Sequence, residues 1–145
     1  MTANFQVVPF KRWHLQWLET DGIALGGGNS YNLDALTLEY LERGNSWTGV
    51  CDGRPVACAG FIEQWPGRTI AWAYLNKNSG AHMMFITRKV RDALSKIKGR
   101  IEFAVRCDFD AGHRWARMLG FDVETYVMKA YGPDGEDYSS YVRHN

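Results

Sequence analysis

The segment from Met83 to Ile97 does most to limit the folds open to this chain. Met83, Ile86, Val90, Ala93, Leu94 and Ile97 fall at i, i+3, i+7, i+10, i+11 and i+14, one apolar stripe of an amphipathic helix that Gly99 ends. Strand-like segments flank it: "TIAWAYL" (Thr69 to Leu75) before, and "RIEFAVRC", where Ile101, Phe103 and Val105 alternate with Glu102 and Ala104, after. A helix that joins two strands of one sheet is a crossover, so these two strands lie parallel.

The remaining pattern builds around that pair. Asp52-Gly53 and Pro66-Gly67 are turn signals, of hairpin and type II kind, and divide Ser46 to Cys51, Val56 to Gln64 and Thr69 to Leu75 into three antiparallel strands. "FQVVPF" (Phe5 to Phe10) reads as an edge strand because Pro9 lacks a donor. "KRWHLQWLE" reads as a first amphipathic helix with Trp13, Trp17 and Leu18 on one face. After a glycine-rich loop, Asp34 is placed to cap a second helix, "ALTLEYLERG", with Leu33, Leu36, Tyr40 and Leu41 sharing a face. "DAGHRWARMLG" is a short helix capped by Asp108 or Asp110 and closed by Gly120. Two last strands, "FDVETYVMKAYG" and "EDYSSYVRH", flank the turn at Pro133-Asp134-Gly135. The order β-α-α-β-β-β-α-β-α-β-β predicts one α+β domain over residues 1–145, with a mixed, mostly antiparallel sheet flanked by helices.

Composition excludes several classes. With 46% hydrophobic and 23% charged residues in 145, the chain is globular and long enough to close a core without staples. A net charge of +1 argues against a nucleic-acid footprint, and the basic run from Arg88 to Arg100 reads as the solvated face of the long helix. Cys51, Cys58 and Cys107 form no C-x-x-C pair and have no histidine at ligand spacing, so neither a disulfide scaffold nor a metal site is expected. The N-terminus lacks the apolar core of a signal peptide, and the apolar run around "PVACAGFI" is too short to span a bilayer. A cytoplasmic location without membrane contact follows as the expectation.

"AGHRWARMLGFDVETYVMKAYG" (Ala111 to Gly132), with Leu119-Gly120-Phe121 at its centre, and the hairpin "DGRPVACAGF" (Asp52 to Phe61) resemble the GCN5-related N-acetyltransferase (GNAT) superfamily, as does the element order. Within it, the chain resembles acetyltransferase-like proteins encoded by tailed phages. The resemblance implies a GNAT-like, acyl-CoA N-acyltransferase fold, acetyl-CoA as co-substrate, and direct transfer of acetyl to a primary amine on a small molecule or a protein. It implies a monomer or homodimer. The alternative is a catalytically inactive GNAT-fold structural or interaction protein, such as a component of a phage virion.

Carried over position by position, the resemblance implies that pantetheine pairs with the main chain of Ala73, Tyr74 and Leu75. It implies that the pyrophosphate sits on the loop and helix start at Lys77, Asn78, Ser79, Gly80 and Ala81, where unpaired N–H groups and the helix dipole favour an anion. The family's loop reads Arg or Gln, two residues, Gly, one residue, then Gly or Ala. Anchored on Gly80, this chain has Leu75, Asn78 and Gly80 there, so the cradle departs from the pattern, with Lys77 as the local charge. Gly112 falls where the short helix approaches the cofactor. The family's acid is a tyrosine five residues before the Phe of "LGF"; here that position is Ala116, leaving His113, Cys107 or a water as substitutes. Glu63 is the carboxylate candidate for a base, and Tyr74 lines the cleft. The resemblance implies that the acceptor side comes from the first two helices, the loop Gly22 to Asn32 and the hairpin Tyr131 to Tyr138, where Trp13, Trp17, Tyr31 and Tyr138 are candidates to line a groove, and equally for the core or a protein-binding face.

Overall fold

The computed structural model describes residues 4–18, 35–76 and 79–145. Seven strands form a single sheet in the order β1-β2-β3-β4-β5-β7-β6: β1 is Phe5–Pro9, β2 Asn45–Cys51, β3 Arg54–Trp65, β4 Arg68–Leu75, β5 Arg100–Arg106, β6 Asp122–Met128 and β7 Tyr138–His144. Every neighbouring pair is antiparallel except β4 and β5, which are parallel because helix α2 (Met83–Ser95) crosses between them. Helices α1 (Ala35–Arg43) and α3 (Asp110–Met118) complete the α+β fold. Among the described residues no helix is long and apolar enough to cross a membrane.

Alternation along the strands divides the core in two. Ala71 and Ala73 of β4, Ile101, Phe103 and Val105 of β5 and Tyr141 of β7 face α2 and α3, where they meet Ile86, Leu94, Trp115 and Leu119. The Trp115 indole N–H donates to Thr87 Oγ1 at 2.8 Å and ties α3 to α2. The other face carries Cys58, Trp72 and Tyr74, covered by Phe10, Leu18 and Leu41.

Three local expectations change. The first helix is a 3₁₀ turn, Arg12–Trp17. The Lys11 N–H donates to His14 Nδ1 at 3.0 Å and the His14 N–H to the Lys11 carbonyl at 2.8 Å, which tightens the coil. His14 then points inward, with Nδ1 2.7 Å from Thr48 Oγ1, while Trp13 and Trp17 are 52% and 63% exposed. In α1 the buried residue is Leu41, and Leu36 and Tyr40 face solvent. Ser46 Oγ donates to the Leu41 carbonyl and Glu42 takes Arg12 Nε at 3.0 Å, so the helix is turned by its C-terminal end. The proposed cap Asp34, along with Leu33, lies outside the described residues. The N-cap of α3 is Phe109; Asp108 is occupied by Arg106 Nε at 2.6 Å, and Asp110 sits in the first turn, where its charge meets the helix dipole.

Trp72 lies flat on Gly60, its partner on β3: a Cβ at Gly60 would stand 2.7 Å from the indole ring. Gly60→Val therefore overpacks the β3–β4 face, and chemical denaturation should show a loss of about 1–3 kcal/mol.

Candidate functional site

The parallel contact between β4 and β5 is brief. It runs from Arg68↔Arg100 through Thr69↔Ile101 to Ile70↔Glu102 and then stops, although β4 continues to Leu75 and β5 to Arg106. The closed end is held twice. Glu102 accepts from the guanidinium of Arg68 and from Arg100 Nε at 3.1 Å, and Arg100 also pairs with Glu124 at 2.5 and 2.8 Å. Behind this cluster Gly99 abuts the main chain of Gly67; with φ +93° and a Cβ position 2.7 Å from the Gly67 carbonyl oxygen, residue 99 has room only for glycine. Beyond Ile70 the strands splay into a cleft.

Main-chain groups of β4 face that cleft. Asn76 donates its N–H to the Val56 carbonyl at 2.9 Å. Antiparallel alternation then commits Tyr74 to Cys58 and Trp72 to Gly60; the Ala71 N–H closes the last ladder step on Glu102, and the N–H and C=O groups of Ala73 and Leu75 point toward the opening. Ala73 and Leu75 are the positions named above for pantetheine. The expectation for Tyr74 is corrected, because its main chain is paired with β3. At the end of β4, Asn76 Oδ1 is buried without a donor among the described residues. Sequence patterning gave no signal for Asn76, since a polar residue after an apolar strand reads as an ordinary turn.

The 3₁₀ turn Ser79–His82 leads straight into α2, whose N-terminus has no side-chain cap. Ser79 is buried and its hydroxyl is 3.6 Å from Met83 Sδ, so it does not cap the helix. Gly80 and Ala81 are exposed, and a Cβ at Gly80 would meet nothing within 4 Å. Lys77 and Asn78 lie outside the described residues, as do the loop Gly22 to Asn32 and Tyr31.

The acid–base candidates separate. Glu63 is exposed and pairs across from Thr69, at the closed end of the splay rather than at its opening. Tyr74 is buried on the α1 face; burial, with Tyr138 and Cys58 nearby, pushes its phenol well above the usual range, so it stays an O–H donor. His113 Nε2 lies 3.1 Å from the carbonyls of Arg106 and Cys107, both acceptors, so it carries the proton, and Nδ1 accepts from Tyr141 Oη at 2.7 Å. That imidazole is a brace between α3 and the sheet, not a free base. The Cys107 thiol lies 3.6 Å from the Tyr126 carbonyl and 3.7 Å from Ser139 Oγ. Gly112 and Ala116 are buried in α3. A groove of about 530 Å³ lies elsewhere, between α2 and β1 to β3, floored by Phe5, Trp47, Ala59 and Phe61 and away from the splay.

No protein-family model and no curated protein sequence matches the chain. Solved structures do match its fold. The ribosomal-protein-S18-alanine N-acetyltransferase from Escherichia coli superposes with a TM-score of 0.71 at 15% identity, covering 96% of this chain and 92% of that one. A Salmonella typhimurium protein solved with its cofactor acetyl-CoA gives 0.66 at 14% identity, covering 97% and 93%. A GNAT-family acetyltransferase from Bacillus anthracis gives 0.64 at 11% identity, covering 99% and 97%.

The ion cluster at the closed end makes an acid-sensitive hinge. Arg68, and then Arg100, hold the Glu102 carboxyl below its usual range, so its contribution is full above that range and fades as pH falls through the depressed value. Glu102→Gln should cost about 1–2 kcal/mol at pH 7 and flatten the acid limb of a thermal-unfolding series from pH 7 to pH 3. The splayed strands, the crossover helix and these superpositions together give the chain the GNAT acetyltransferase fold.

Proposed function

We propose that this protein is an acetyl-CoA-dependent N-acetyltransferase that moves an acetyl group to a primary amine by direct transfer. The observation that carries the reading is the β4 main chain beyond Ile70, unpaired toward β5 and ending at the uncapped start of α2. A ligand with amide groups can add to such an edge as a strand would, and a phosphate suits free N–H groups at a helix start. The orphaned Asn76 Oδ1 fits a co-substrate that brings N–H donors to the same rim. Acetyl-CoA would supply the activated thioester.

The chain's own groups divide the work. Ala73 and Leu75 would bind the pantetheine amides, and their N–H groups are the candidates to polarise the thioester carbonyl. Ser79, Gly80 and Ala81, with Lys77 and Asn78, would form the phosphate cradle. As the amine forms its C–N bond and the C–S bond breaks, the amine loses one proton and the thiolate gains one. Ala116 supplies no acid, and His113 and Cys107 are engaged by main-chain carbonyls, so Tyr74 is the candidate O–H donor from the acceptor face. Acceptors on ribosomal proteins, as in the Escherichia coli structure, fall within the class of protein amines. A cytoplasmic site of action suits three free cysteines.

The fully buried Ala116 favours a second reading, a GNAT-fold protein without catalysis that serves in an assembly such as a phage particle. Calorimetric titration with acetyl-CoA, with CoA as control, separates the two. Micromolar binding, about −8 kcal/mol, is expected for the enzyme. Absence of binding at millimolar ligand would leave the interaction protein.

Gly80→Val tests the cradle. Among the described residues nothing lies within 4 Å of the added Cβ and the residue lacks a positive φ, so stability should change by less than about 1 kcal/mol, while acetyl-CoA binding falls at least about tenfold.

A further inference from the structure

The hairpin between β6 and β7 holds a group that folding alone does not explain. Glu136 Oε2 is out of contact with solvent and has no hydrogen-bond donor among the described residues. The neighbouring Asp137 is fully used: Oδ1 takes the Ala130 N–H at 2.9 Å and Oδ2 takes Lys129 Nζ at 3.3 Å. These donors of the hairpin go to one carboxylate and leave the other without a partner.

The seat of Glu136 is shaped for it. A Cβ at Gly132 would overlap Glu136 Oε1 and stand 2.7 Å from Cδ and 2.8 Å from the Tyr138 ring. Gly132 does not have a left-handed φ, so what glycine provides here is space. Tyr131, 54% exposed, packs on Tyr138 with ring centroids 5.4 Å apart. Tyr138 pairs with Arg106 at the open end of β5, and its proximity helps raise the Tyr74 phenol across the splay. A carboxylate beside an exposed tyrosine ring is the chemistry that recognises an ammonium group: opposite charge, an acceptor for its N–H donors, and, at Tyr131, a ring face that attracts cations.

We propose that Glu136, seated between Gly132 and Tyr138, receives the acceptor as its ammonium and is the residue that selects it; the Glu136 carboxylate takes one proton, and the neutral amine gives up its second as the amide forms and the thiolate is protonated. The proposal rests on the acetyl-transfer reading for the donor half of the site. An oxygen buried without a donor destabilises the free protein, and a bound ammonium removes that penalty. Glu136 therefore trades stability for recognition, which a purely structural residue does not do.

The test is calorimetry on the wild-type chain and Glu136→Gln in the presence of CoA. The probes are 2-phenylethylamine and a short peptide with a free N-terminal amine, with 2-phenylethanol as the uncharged control. Wild type should bind at least one amine and not the alcohol. Glu136→Gln should bind that amine at least about tenfold more weakly, keep its acetyl-CoA affinity, and melt no lower than wild type. Which amine binds distinguishes a free small molecule from a peptide terminus. Equal binding of amine and alcohol, unchanged amine binding by the variant, a lowered melting temperature with amine binding intact, or a wild type that takes acetyl-CoA but neither amine would each overturn the proposal. Amine binding without acetyl-CoA binding would remove the transfer reading and leave the Glu136 site standing.

Discussion

The β4–β5 contact governs the rest of this structure. A parallel pair that continued to Leu75 would use the main-chain groups of Ala73 and Leu75 in the sheet and leave no cleft. Instead the pair is fastened at one end, by Glu102 between two arginines and by the glycine contact behind them, and diverges from Ile70 onward. β7 then inserts beside β5 and satisfies its other edge along its whole length, so β5 is anchored away from β4. The unpaired stretch of β4 is a local cost that the surrounding sheet sustains.

The two faces of the sheet take different tasks. The α2–α3 face is apolar and interlocked, with Trp115 held to Thr87 and Leu94 almost fully enclosed. The α1 face is polar inside: Thr48, Cys58 and Tyr74 stand opposite one another on β2, β3 and β4, with His14 above Thr48. Burial lowers the His14 pKa and raises those of Cys58, to about 12, and Tyr74, so this row is held in its neutral forms.

Much of the fold was legible because it rests on short-range rules. The 3.6-residue stripe of α2 fixed the crossover, and the crossover fixed the parallel pair. Asp52-Gly53, Pro66-Gly67 and Gly120 marked chain reversals, each now seen with a positive-φ glycine. Where the reading slipped, at Trp13, Trp17, Leu36 and Tyr40, helical spacing groups these side chains on one face with Leu18 or Leu41, and only Leu18 and Leu41 are buried. The tether of His14 to Thr48 and of Leu41 to Ser46 turned those faces outward instead, and tethers across more than thirty positions, as from His14 to Thr48, leave no periodic trace.

The site was less legible for the same reason. Sequence alone determined the element order, the helix start near Gly80 and the absence of a tyrosine at position 116, since all of these depend on residues adjacent along the chain. Only the tertiary structure decided which main-chain groups of β4 are free of the sheet, that Glu63 sits at the closed end, that His113 is a brace, and that Asn76 and Glu136 hold oxygens without donors among the described residues. Hydrogen-bond satisfaction is a property of three-dimensional neighbours. An unpaired atom becomes visible only once every potential partner has been placed.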